Sequence, residues 1–188
     1  MSDEYYPWGG EFTACTSTSC VAVVLLNIDY TPTNKVAIYG PLKTENIGIE
    51  KIVANTISNP HIRYLIVSGE EIRGHRSGSS LVALSKNGVD KTHRIIDAPG
   101  AIPYIENIDE KAIDRFQKQI EVIDMVGEQD KSKIDKKISE CISKSPSSFG
   151  KPYIAIRITP EVATLDDKRA LHSKVVMDYM GKVKKRGE

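Results

Sequence analysis

The chain has no charge excess to exploit. Its 188 residues hold 26 Lys and Arg against 25 Asp and Glu, a formal net charge of +1. Apart from the end Lys182-Val183-Lys184-Lys185-Arg186, no block of one sign stands out. Nucleic-acid binding needs a positive footprint, so no such partner is expected, and the basic end reads as a solvated helix terminus. Also missing is any apolar run approaching the ~20 residues that cross a bilayer. The first residues, with Asp3 and Glu4, carry no apolar leader. A soluble, cytoplasmic protein with no direct membrane insertion is expected. Cysteine is scarce: Cys15, Cys20 and Cys141 show no zinc spacing, and without an export signal they are expected to be reduced. No Gly-x-Gly-x-x-Gly run or phosphate-loop lysine is present for a nucleotide. No Gly-x-Ser-x-Gly elbow is present for a serine hydrolase.

What is present is a succession of apolar runs and helical periods, in a length suited to one domain with a small appendage. The predicted organisation is an N-terminal arm over 1–20, a domain over 21–160 and a helical extension over 161–188. Strands are predicted at Val21–Leu26, Lys35–Tyr39, Tyr64–Val67, Thr92–Ile96 and Tyr153–Ile158. The helix predicted over Thr44–Ser58 places Ile49, Ile52, Val53 and Ile57 at helical spacing, with Thr44 or Asn46 to cap it and Asn59-Pro60 to end it. A short helix over Ser77–Lys86 stops at Asn87-Gly88. Further helices are predicted over Asp109–Met125 (Ile113, Phe116, Ile120, Ile123), Lys131–Lys144 (Ile134, Ile138, Cys141) and Leu165–Lys184. The link between the first two strands contains Pro32 and is shorter than the dozen or so residues of a parallel crossover. Those two strands are therefore expected to pair antiparallel or lie apart. Taken together, the pattern predicts an α/β fold, a Rossmann-like open sheet of about five mostly parallel strands flanked by helices.

If the second, third and fourth predicted strands run parallel, the loops 40–46, 69–78 and 97–107 share one edge, where open α/β sheets bind ligands. His75 lies in the middle loop, and Gly74 and Gly78 would let a bulky flat ligand approach the backbone. The loop Asp97–Asn107 is apolar and stiffened by Pro99, Gly100 and Pro103. His61 and His172 read as structural or exposed, and His93 as a packed or edge residue. Position alone separates His75 from these. Ser77, Ser79 and Ser80 are near it but lack the elbow, and the adjacent Glu70-Glu71 need not face one site as a glycosidase pair must.

His75-Arg76-Ser77-Gly78 resembles the His-x-x-Gly half of the Asp-x-His-x-x-Gly signature of cobalamin-binding domains, with Arg73 standing where the acid would be. Over roughly residues 6 to 145 the chain resembles the A subunit of the tetrahydromethanopterin S-methyltransferase of methanogenic archaea. The resemblance is carried by Thr44-Glu45-Asn46-Ile47-Gly48-Ile49-Glu50-Lys51, by Ser58-Asn59-Pro60 with Ile62-Arg63, and by Gly74-His75. It continues in Asn87-Gly88-Val89-Asp90 and Gly100-Ala101-Ile102-Pro103-Tyr104-Ile105-Glu106-Asn107.

The resemblance implies a Rossmann-like, corrinoid-dependent methyltransferase subunit that works with other subunits of its system. Its cofactor would be cobalamin or a 5-hydroxybenzimidazolyl cobamide, whose cobalt takes a methyl group from methyl-tetrahydromethanopterin and passes it to coenzyme M. His75 is the position implied for the lower axial ligand. The cofactor-binding set expected around it is Gly40, Thr44, Glu45, Gly74, Gly78, Gly100, Ala101, Ile102, Pro103 and Tyr104. A ligating imidazole normally donates its other N–H to a fixed acceptor. With Arg73 in place of the acid, Glu45 is the expected acceptor, and Glu71 the next. Family members in the complex end in a membrane helix, whereas this chain ends in basic residues, so a form without the anchor is expected. Two rival readings are a binding or regulatory module on the same fold without corrinoid, and a small hydrolase using Ser77 and His75.

Overall fold

The computed structural model describes residues 5–32, 35–72, 74–156, 175–177 and 183–185. The chain divides into two compact units, Met1–Arg157 and Ile158–Glu188. The first is built on a sheet of five strands: β1 (Thr13–Ala14), β2 (Val21–Leu25), β3 (Ile38–Pro41), β4 (Tyr64–Gly69) and β5 (Glu121–Val126). Their spatial order is β1-β3-β2-β4-β5. β1 runs antiparallel to β3, and every other neighbouring pair is parallel. Four helices complete the unit: α1 (Ile47–Ser58), α2 (Ser77–Asn87), α3 (Glu110–Gln119) and α4 (Lys131–Ser143). This is the expected α/β class with a mostly parallel open sheet.

β2 and β4 are central strands, buried on both faces, which is why their sequences run apolar without alternation. Ala22, Val24, Leu65 and Val67 face a core shared with α1, α2 and α3. Val21, Val23, Leu25 and Ile66 face a second core with α4. Cys141 lies in that second core, as expected.

The first two parallel strands pair directly, with Ala22 opposite Ile38 and Leu25 opposite Pro41. This corrects the antiparallel expectation. β3 begins at Ile38 rather than Lys35, so the link runs from Leu26 to Ala37 and reaches the length a parallel crossover needs. The link carries Tyr30 and Val36 into the α4 core instead of a helix. Tyr30 donates its hydroxyl to Asp135 Oδ1 at 2.6 Å. Burial first, and the Asp135 carboxylate second, push its phenol well above the ordinary range.

Thr92–Ile96 is not a sheet strand. It makes only single bridges, Val89 to Ile95 and Arg94 to Tyr104. The strand in its place is β5, which falls inside the helix expected over Asp109–Met125. α3 ends at Gln119, Ile120 caps it in an extended conformation, and the chain enters β5 with no Gly or Pro between. The spacing of Ile113, Phe116, Ile120 and Ile123 suits a helix. The β-branched Val122, Ile123 and Val126 suit a strand, and tertiary pairing with β4 decides in favour of the strand. β5 is an outer strand with Glu121 and Asp124 exposed, and Asp124 Oδ1 accepts from the amide of Val126 at 3.1 Å.

Tyr153–Ile156 is not a strand either; these residues lie in irregular chain, with Tyr153 N donating to Ile57 O at 3.2 Å. In the second unit, β6 (Val175–Met177) and β7 (Val183–Lys185) pair antiparallel, which replaces the predicted helix over those residues. The remainder of that predicted helix, including His172, lies outside the described residues. Within the described residues no helix is long and apolar enough to cross a membrane.

Candidate functional site

From β2 the chain passes to β3 on one side, and from β4 to β5 on the other, so the direction of winding reverses between β2 and β4. The carboxyl edge at such a reversal leaves a crevice. The loop that leaves β4 there carries His75. Gly69 ends the strand with φ +100, and a Cβ on it would lie 2.8 Å from Ile28 Cγ2. Arg76 sits at the N-cap of α2 in a left-handed conformation and offers no side-chain cap. Glu71 takes over that role from across the loop: its Oε1 accepts from Ser79 N at 2.6 Å and its Oε2 from Gly78 N at 3.3 Å. A carboxylate at this end of a helix also meets the positive end of the dipole.

The loop 97–107 reaches the same edge without a strand behind it. Two carboxylates at the start of α1 hold it. Glu45, 4% exposed, accepts through Oε1 from Ala101 N and Ile102 N, both at 2.9 Å. Glu50, also buried, accepts through Oε1 from Glu106 N and from Asn107 N at 2.8 Å, and through Oε2 from Asn107 Nδ2 at 2.7 Å. Backbone amides only donate, so each carboxylate acts purely as acceptor. Gly100 closes the junction: its amide donates to Ser80 Oγ at 3.2 Å. A Cβ there would lie 2.7 Å from that oxygen and 3.0 Å from the carbonyl of His75.

His75 Nδ1 lies 3.3 Å from the second oxygen of Glu45, Oε2, and 59% of the His75 side chain is exposed. Opposite a carboxylate acceptor Nδ1 is the donor, and in the neutral ring with that tautomer Nε2 carries the lone pair. Among the described residues Nε2 makes no hydrogen bond. The large exposed hydrophobic side chains among the described residues are Ile47, Ile72, Ile96 and Ile102. All four belong to the three edge loops or their borders. Gly74 has φ +95, and nothing lies within 4 Å of where its Cβ would be.

The structure therefore joins His75, Glu45, Gly100, Ala101 and Ile102 in one network. Pro103 and Tyr104 shape the same loop, through Ile95 N donating to Pro103 O at 2.9 Å and Arg94 lying 5.6 Å over the Tyr104 ring. Thr44 is used locally, its Oγ1 accepting from Gly48 N at 2.9 Å beside the Asn46 cap. Gly78 fits against Leu26, where a Cβ would lie 2.6 Å from Cδ1. Gly40 is set apart: it packs under the N-terminal arm, its missing Cβ 2.6 Å from Glu11 O. Sequence reasoning missed Glu50 and Ser80 as supports of the site. A charged residue beside Ile49 on the buried stripe of α1 was the available signal for Glu50.

An outward imidazole with a free Nε2, an open glycine and an apolar rim fit one face of a large, flat, partly apolar ligand. Among the described residues no three His, Cys, Asp or Glu side chains gather to hold a metal ion. His75 can thus supply one ligand to a metal whose other ligands come from elsewhere.

The model of the MtrA family, the A subunit of tetrahydromethanopterin S-methyltransferase, matches residues 2–165. The chain belongs to this family. A relative from Methanothermobacter thermautotrophicus, named as A subunit 1 of that methyltransferase, is 52% identical over 123 residues, covering 65% of this chain and 52% of its own length. The A subunit of Methanohalophilus mahii is 44% identical over 156 residues, covering 81% of this chain and 65% of its own length. The A subunit 2 of Methanobrevibacter ruminantium is 45% identical over 156 residues, covering 81% of both chains. The chain thus spans from about half to about four fifths of the length of these relatives.

Proposed function

We propose that the chain is the corrinoid-binding methyl carrier of a methyltransferase system, with Nε2 of His75 as the lower axial ligand of cobalt. The observation that carries this reading is the contact of His75 Nδ1 with buried Glu45, in a ring that is largely exposed and whose Nε2 shares no hydrogen bond among the described residues. Imidazole nitrogen is a good ligand for a first-row transition metal. When bound, the corrinoid supplies the methyl-transfer chemistry, here from methyl-tetrahydromethanopterin to coenzyme M, and the chain's own residues ligate, orient and shield.

Glu45 holds the ring N–H at Nδ1 and so fixes the tautomer and the ring plane. Ala101 N and Ile102 N hold Glu45 in turn. Gly74 leaves open space in the His75 loop, and the exposed Ile72 and Ile102 would offer apolar surface to the bound group. Other subunits of the system are the expected partners.

Reconstitution with aquocobalamin tests the reading. The wild-type chain should retain the corrinoid through gel filtration and show a spectrum altered by imidazole ligation. His75→Ala should lose that spectral change. A wild-type chain that elutes colourless overturns the proposal and leaves a binding module without corrinoid.

A further inference from the structure

A second cavity lies away from His75, between the N-terminal arm, the α1 side of the sheet and α1 itself. Its volume is about 100 Å³. The buried Ala22, Val24 and Leu65 form its floor, and Trp8, Phe12 and Ile52 its walls. The exposed Gly10, Glu11 and Pro41 mark the mouth. The arm that roofs it is firmly held: Asn55 accepts from Trp8 N at 2.9 Å and donates to Trp8 O at 2.8 Å, both bonds buried. Tyr6 N donates to Ser58 Oγ at 2.9 Å. The hollow is therefore part of a fixed arrangement. Its lining is mostly apolar with a few polar groups at the mouth, the make-up of a small-molecule site.

Among the described residues, one cation at the mouth has no carboxylate partner. Lys51 packs its stem on Gly10 and places Nζ 6.0 Å from the centroid of the Trp8 ring. Glu11, the carboxylate at the same mouth, is already paired with Lys43 at 2.6 Å. Among the described residues no acid lies within ion-pair distance of Lys51. The amide groups of Asn55 are both engaged, so Lys51 supplies the free charge at the entrance.

We propose that this cavity is a binding site for a small aliphatic carboxylate, its apolar tail under Trp8 and its carboxylate on Lys51. At about 30 Å³ for each small group, the hollow accommodates about three carbons of a short tail, with the carbon next to the carboxylate at the mouth. The site is separate from the His75 network: of the expected cofactor-binding set its lining includes only Gly40, which packs under the N-terminal arm, and neither His75 nor Glu45.

The chain contains a single tryptophan, so intrinsic fluorescence reports on the cavity wall directly. The full chain, titrated with pentanoate, should show a saturable change in emission. Pentanol should bind about tenfold more weakly, and Lys51→Met, which keeps the apolar stem, should lower pentanoate affinity about tenfold while leaving pentanol unchanged. Ile52→Phe should abolish both responses by filling the hollow, with the melting curve confirming that it folds. His75→Ala should bind pentanoate as the wild type does. Absence of a saturable change in the wild type overturns the proposal, as does pentanoate affinity unaltered by Lys51→Met.

Discussion

The two edges of the sheet handle their polar groups in opposite ways. At the amino edge, Gln119 is buried and fully engaged: Nε2 donates to the carbonyls of Thr56, Asn59 and Ile62, and Oε1 accepts from Arg115 Nε at 2.7 Å. Arg63 donates to Gln119 O at 3.0 Å and to Ser147 O at 2.8 Å, and Arg115 to Phe149 O at 2.7 Å. Both guanidiniums also cover the Phe149 ring, at 5.2 and 4.6 Å. The donors there are matched to the chain's own carbonyls. At the carboxyl edge, buried carboxylates hold a loop in place while an imidazole and four isoleucines are left facing outward. One edge closes the fold, and the other is rigid underneath and open on top. A buried acceptor can therefore serve as a support for binding without itself meeting the ligand.

The sharpest way to break the contrast is at the closed edge. Gln119→Leu removes the buried donor of the Ile62 carbonyl and the acceptor of Arg115 Nε, and should lower stability by about 3 kcal/mol in urea unfolding without altering cobalamin retention. Gly100→Ala comes next, because its Cβ would meet Ser80 Oγ at 2.7 Å and the His75 carbonyl at 3.0 Å. It should cost about 2 kcal/mol and also weaken cobalamin binding, measured by equilibrium dialysis. His75→Ala should change stability by less than about 0.5 kcal/mol, since the ring is largely exposed, while removing the spectral sign of imidazole ligation.

The smallest effect is expected at Asp90, on the hairpin-like stretch beside the open edge. The Thr92 hydroxyl first, then the Thr92 amide, hold its carboxyl below the usual range. A lowered folded-state value means the stabilisation is complete above the unfolded-state pKa and is lost as pH falls through the folded-state value. Asp90→Asn should flatten the acid limb of the melting temperature between about pH 5 and about pH 2.

Much of the architecture was legible because several elements carry unambiguous local signals. α1 has its stripe, its Asn46 cap and its Asn59-Pro60 stop, and β2 and β4 have unbroken apolar runs. β5 was hidden because Ile120 and Ile123 continue the phase of α3, and only pairing with β4 distinguishes strand from helix there. Thr92–Ile96 looked like a strand because a short β-branched run carries no information about whether a partner is available. The meeting of the three edge loops was anticipated for a partly wrong reason. The third loop arrives through the side chains of Glu45 and Glu50, and long-range acceptors of this kind leave little trace in a sequence. The contact of Glu45 with His75 was expected from the missing acid at Arg73, although no periodicity indicates it. The cavity under Trp8 was not legible at all, since it depends on how the arm lies over β3 and α1.

β5 also bears on how molecules of this chain behave in a crowd. An outer strand of six residues is a template on which a second sheet could grow. Here any incoming strand would have to displace Asp124 from the Val126 amide and bring its own backbone alongside Glu121. The margin thus discourages polymerisation by its own chemistry, and the other edge of the five-stranded sheet, finished by a two-residue strand, offers too short a ledge for stacking.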